Sequence, residues 1–153
     1  MQNLTPTEII DALLSKFDGV TVVEAWGEKS LFYNPRKRLP RGVYFATIKE
    51  KNGDNDKASS LDRNGIFRLN IGTTKHLFLE RFGAPPPRPS KGGIIEGTWD
   101  FTALDTLMPH PIYGWMSWVA VLNPTPKTFE DINPLIEAAY IKAQKAFLKR
   151  VSE

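Results

Sequence analysis

Apolar residues recur at helical spacing in two stretches of the chain. Ile9, Ile10, Leu13, Leu14 and Phe17 form one stripe. Thr5-Pro6-Thr7-Glu8 precedes it as a start signal: Thr5 can cap, Pro6 suits the first turn and Glu8 completes a capping box. Gly19 is a natural stop. The second stripe is Leu135, Ile136, Ala139, Tyr140, Ala143, Ala146 and Phe147, opened by Asn133-Pro134 with Asn133 as cap. Lys142, Lys145 and Lys149 form a separate, solvent-facing stripe on that helix.

Between these helices the period shortens. Val20 to Val23 reads as a β-branched strand, Ala25 to Lys29 as a turn, and Ser30 to Tyr33 as a second strand broken by Asn34-Pro35. Gly42 to Glu50 has apolar residues on both faces and belongs inside a sheet. Asn52-Gly53 signals a turn. Phe67, Leu69 and Ile71 alternate with Arg68 and Asn70, which makes a half-buried strand with its polar side chains on the opposite face. Gly72-Thr73 can cap a short helix carrying Leu77, Phe78 and Phe82, ended by Gly83. Pro85, Pro86, Pro87 and Pro89 demand an extended connector. Gly92-Gly93 and Ile94-Ile95 can begin an edge strand, Phe101 to Leu107 a brief helix, and Trp115 to Leu122 a central strand.

Strands joined by short turns imply a mostly antiparallel sheet of about five strands. Both long helices need a partner for their apolar faces, and one sheet face supplies it. The predicted fold is α+β: two layers, with the N-terminal and C-terminal helices on the same side of one sheet, in a single domain spanning residues 1–153. Ile141 and Leu148 lie on a second stripe of the last helix, about 100° or more from its main apolar face. The proline-rich connector, the N-terminal helix or another subunit must cover them. A homodimer through this helix is the expected form of any assembly.

Composition narrows the chemistry. The chain has 153 residues, 41% apolar and 24% charged, so it can build a core and is not disordered. With no cysteine there are no disulfides, thiolate catalysis or cysteine-built metal sites, and two histidines make a histidine metal site improbable. No membrane-spanning run and no secretory signal pattern are seen, so a soluble cytoplasmic protein is expected. A net charge of +3 permits a nucleic-acid partner without demanding one. Asp54-Asn55-Asp56 fails the calcium-loop pattern, since a serine holds the sixth position and a glycine the twelfth. Lys91-Gly92-Gly93 lacks the order of a phosphate loop. No metal and no cofactor are expected.

Several stretches look like one uncharacterised bacterial family: Glu24-Ala25-Trp26-Gly27-Glu28, Leu39 to Lys49, Leu61-Asp62-Arg63, and Pro109-His110-Pro111-Ile112-Tyr113-Gly114-Trp115-Met116. The family is domain of unknown function 6194, and the resemblance spans roughly residues 5 to 150. It implies no established activity. The element order also resembles the MmcQ/YjbR-like proteins, for which DNA binding has been suggested. Those proteins carry a basic stretch before the late tryptophan. Here Pro109 to Trp118 holds one histidine and no lysine or arginine.

The expected function is a binding module for a small ligand or a partner segment. Trp26, Glu28, Arg68, Asn70, His110, Tyr113 and Trp115 are its candidate residues: polar groups beside aromatic rings on the sheet face away from the helices. His110 between two prolines is a restrained imidazole. One alternative is weak nucleic-acid binding through Arg36, Lys37, Arg38 and Arg41, four cations within six positions, where a plain solvated loop is the competing reading. The other is a hydrolase or isomerase using His110 with Asp62 or Glu28.

Overall fold

The computed structural model describes residues 2–152. Helix α1 (Pro6–Lys16) starts at the full Thr5/Glu8 capping box. Strands β1 (Val20–Ala25) and β2 (Glu28–Tyr33) form a tight hairpin. Trp26 and Gly27 both hold positive φ, the backbone that a two-residue turn matched to strand twist requires. The turn is therefore shorter than the sequence suggests, and Glu28 and Lys29 already lie in the ladder. Strand β3 (Val43–Lys49), strand β4 (Arg68–Gly72) and helix α2 (Lys75–Phe82) follow. After a long irregular stretch come β5 (Met108–Pro109), β6 (Trp118–Leu122), α3 (Pro126–Asp131) and α4 (Asn133–Val151).

The strands make one six-stranded sheet in the order β1-β2-β3-β4-β6-β5, with every pair antiparallel. One face builds the main core. Leu31, Phe45, Ala46, Ile48, Leu69, Ile71, Val119 and Val121 meet Ile9, Ile10 and Leu13 of α1 and Leu135, Ile136, Ala139 and Ala143 of α4. Both helices thus lie on the same side, and Lys16 of α1 ties them by reaching Asn133 and Glu137 of α4. The chain is an α+β fold. The opposite sheet face is covered by loops, with a second small cluster of Ile95, Phe101 and Met108.

Strand β3 explains its own two-sided apolar pattern. Leu31 pairs with Ala46 while Phe32 pairs with Tyr44, so Phe45 is an extra residue opposite β2. This bulge puts Phe45 and Ala46 both in the core. Tyr44 and Thr47, three apart, both face the loop-covered side.

Several sequence expectations are corrected. The late strand begins at Trp118, because Gly114–Met116 form a 3₁₀ turn and Ser117 takes a left-handed backbone; it sits next to the edge, flanked by the two-residue β5. Phe101 to Leu107 forms turns and no helix: Phe101 is drawn into the second cluster and Asp105 accepts a hydrogen bond from the Thr125 backbone N–H. Gly92 to Ile95 makes no strand; Ile95 instead plugs that cluster through one backbone bond to Pro111. Asn133 is not a cap, since its amide donates to the Phe129 carbonyl of α3, a helix capped by Thr125 that the sequence reading did not separate. Thr74, not Thr73, caps α2; Thr73 donates to the Leu135 carbonyl. Ile141 and Leu148 remain 49% and 60% exposed, covered neither by the proline connector nor by α1.

Gly72 links the fold to the second face. It pairs with Trp118, whose indole lies over it, and a Cβ at Gly72 would come within 2.6 Å of that ring. Gly72→Ala is expected to destabilise the protein by roughly 1–3 kcal/mol, as overpacking does. Urea denaturation followed by tryptophan fluorescence measures the loss and the accompanying displacement of the indole.

Candidate functional site

Cross-strand registers arrange the loop-covered face in rows. The first row is ionic: Glu28, Lys49 and Arg68 on β2, β3 and β4. The second is neutral and polar: Ser30, Thr47 and Asn70. The third is aromatic: Phe32, Tyr44 and Trp118, with Gly72 between the last two. Because Gly72 has no side chain, the Tyr44 and Trp118 rings close to 5.6 Å.

This floor bounds a cavity of about 770 Å³. Its walls are three loops. One brings Gly53, Asn55 and Asp56; another Arg88 to Gly93; the third His110, Ile112, Tyr113 and Trp115. Reciprocal backbone bonds between Gly53 and Asp56 make a tight reversal with Asp54 and Asn55 at its tip, which swings Asp56 onto the sheet. Asn52 and Asp62 close the loop behind it. On the second wall, the Arg88 guanidinium lies 4.8 Å over the Trp115 ring.

Arg68 is the centre of the polar network, and it is fully buried. Its Nη1 donates to Asp56 Oδ1 and Ser59 Oγ, both at 3.0 Å, and its Nη2 donates to Asp56 Oδ2. Its Nε donates to Asn70 Oδ1 at 2.7 Å, and the Asn70 amide donates to Thr47 Oγ1 at 3.0 Å. The bidentate carboxylate neutralises the guanidinium in place. Lys49, across the ladder from Arg68, has no carboxylate within 4 Å among the described residues, although Glu28 is its partner on β2.

His110 is 3% exposed. Burial, then the charges of Arg68 and Lys49, hold its pKa well below the usual imidazole range. Its Nδ1 accepts the backbone N–H bonds of Ile112 and Tyr113, both at 3.1 Å. A nitrogen that accepts two hydrogen bonds carries no proton, so the neutral ring holds its proton on Nε2. His110 is therefore arranged as a hydrogen-bond donor rather than a base. The Tyr44 phenol is pushed up by partial burial and by the nearby Tyr113 and Glu28.

Of the residues singled out from sequence, Glu28, Asn70, His110, Tyr113 and Trp115 line the cavity, and Arg68 lies beneath it. Trp26 does not: it stands 91% exposed at the β1–β2 tip. Asp62, offered as a partner for His110, bonds Asn52 instead. Arg36, Lys37, Arg38 and Arg41 are exposed on the β2–β3 connection, away from the cavity, with Arg36 and Lys37 in left-handed backbone. Sequence reasoning missed Asp56, Thr47, Lys49, Tyr44 and Trp118. Alternation along β3 carried a signal for Thr47 and Lys49; nothing local pointed Asp56 at Arg68.

The neutral state of His110 has a thermodynamic consequence. In the unfolded chain the imidazole titrates near 6.5, and in the folded protein well below that. Between the two values the unfolded state binds the extra proton, so stability falls as pH drops below about 6.5, by up to roughly 1.4 kcal/mol per pH unit. Above that pH the contribution is complete. Urea unfolding from pH 7.5 to 5 should show this slope, and His110→Gln should flatten it.

No curated protein and no solved structure matches the chain. The model of one family matches residues 4–152. Three of the stretches quoted for the resemblance include cavity residues: Glu28 in the hairpin; Tyr44, Thr47 and Lys49 on β3; and His110, Ile112, Tyr113 and Trp115. With almost the whole length matched, the chain belongs to DUF6194, a family of unknown function.

Proposed function

We propose that this protein is a binding module for a small organic molecule held in the cavity above β2, β3, β4 and β6. One observation carries the reading. A cavity of about 770 Å³ combines aromatic walls with polar groups fixed by the sheet and by Arg68. Its volume is in the range of small-molecule sites, which are largely preformed and carry a few placed polar groups. His110, tied as a donor, supports binding over proton abstraction. No helix among the described residues is long and apolar enough to cross a membrane. A cytoplasmic location is part of the reading; the chain has no cysteine for an oxidising compartment to use.

A thermal-shift screen of small polar aromatics tests it. A ligand present at a hundred times its Kd should raise Tm by roughly 5 to 10 °C. Its amide shifts should map to residues 44–49 and 110–118. Ser30→Phe, which fills the floor from its middle row, should reduce affinity at least tenfold with an unchanged circular dichroism spectrum. Hits that map elsewhere, or that survive this substitution, would overturn the reading.

Nucleic-acid binding is a second reading, supported by one observation: Arg36, Lys37, Arg38 and Arg41 are all exposed, and none has a carboxylate within 4 Å among the described residues. If all of them neutralise phosphates, log affinity against log salt should have a slope of roughly −3 to −4. A fluorescence-anisotropy titration showing no binding at low salt removes this reading.

A further inference from the structure

An arginine offers five N–H bonds. In Arg68, four end on ordinary acceptors: Asn70 Oδ1, Ser59 Oγ and both Asp56 oxygens. The fifth, on Nη2, meets His110 Nε2 at 3.3 Å. That nitrogen already carries the imidazole proton, because Nδ1 is occupied by the Ile112 and Tyr113 N–H groups. Two donors therefore face each other. The opposite tautomer would only move the conflict, setting an Nδ1 proton against two backbone N–H groups. Unmatched buried donors are costly, so a native network of this kind calls for an acceptor from outside it. His110 lines the cavity and Arg68 lies beneath it, so an acceptor entering the cavity meets this pair at His110.

The charges around the cavity decide what kind of acceptor is favoured. Asp56 is committed to Arg68, which among the described residues leaves Lys49, Arg88 and Lys91 facing the cavity against Glu28. Lys49 is half-buried and makes no ion pair among the described residues. The aromatic row of Phe32, Tyr44 and Trp118, with Tyr113 above, suits a ring-sized apolar body rather than an inorganic ion. Resting on the binding-module reading, we propose that the ligand is an organic oxyanion. Its carboxylate or phosphate oxygen accepts from His110 Nε2–H beside Lys49, and its apolar body lies against Tyr44, Tyr113 and Trp118.

The experiment uses protein labelled with ¹⁵N at its two histidines, His76 and His110, with His76→Gln assigning the second. Phenylacetate and phenyl phosphate are the charged probes, and phenylacetamide is the neutral isostere, each to about 10 mM, a concentration suited to ligands of this size. In the free protein His110 should show the Nε2–H tautomer. At least one charged probe should shift its Nε2 resonance, and which one does so separates carboxylate from phosphate. The amide should bind at least tenfold more weakly. Lys49→Met should reduce oxyanion affinity fivefold or more and leave the amide unchanged. An Nδ1–H tautomer, or no response to either charged probe, would overturn the proposal. Equal binding of amide and anion would also overturn it while leaving a small-molecule pocket intact, so the two readings fail separately. The tautomer and the charge preference are read on protein with Lys49 in place, so a poorly folded Lys49 variant does not blunt the test.

Discussion

The loop-covered half of the molecule depends on a single ion pair, Arg68 with Asp56. A fully buried guanidinium on the middle of a sheet is tolerable only with its charge matched at contact and most of its N–H bonds ending on acceptors, as four of Arg68's do. Asp56 can reach it only if the chain after β3 folds back over the sheet, and the Gly53–Asp56 reversal does this. Ser59 then adds its hydroxyl, and Leu61 is buried beside the same loop. Removing one partner of such a pair costs about 3–5 kcal/mol, a large share of the stability typical of a domain. The pair holds the loop and sets the cavity floor at once, so stability and the site share one interaction.

Much of the frame was legible from local signals. The Thr5 capping box, the alternation of Leu69 and Ile71 with Arg68 and Asn70, and the stripe from Leu135 to Phe147 each follow from spacing along a few residues. Even the face carrying Arg68 and Asn70 was readable, because strand periodicity is strict there. Whether that face was solvated or covered was not readable. The answer lies in residues 52–66 and 88–117, which form almost no regular structure and so leave no periodic trace. Asp56 looked like part of a polar turn because its partner is twelve residues away on another element.

The misreadings share a physical source. Phe101 to Leu107 and Gly92 to Ile95 have the apolar content of regular elements, but they use it to plug a small cluster under loops. Local propensity yields there to the need to cover Met108 and the late strand. Asn133 has the chemistry of a cap, yet a preceding short helix supplies the carbonyl that its amide takes. The pairing of Tyr44 with Trp118 depends on the missing side chain of Gly72, a relation between three strands that no one of them announces.

The bulge in β3 makes chain length unequal in its effects along that strand. Phe45 has no partner on β2, yet its ring packs against Phe17 and Tyr140. A gap at this position would leave Tyr44 and Thr47 on the cavity side and Val43, Ala46 and Ile48 on the helix side; only an aromatic ring would be missing from the core. A gap or insertion between Ala46 and Lys49 would instead rotate everything beyond it by one face, sending an ammonium into the helices and an isoleucine into the cavity. Residue 45 is the place on β3 where the chain can lose a residue without exchanging inside for outside.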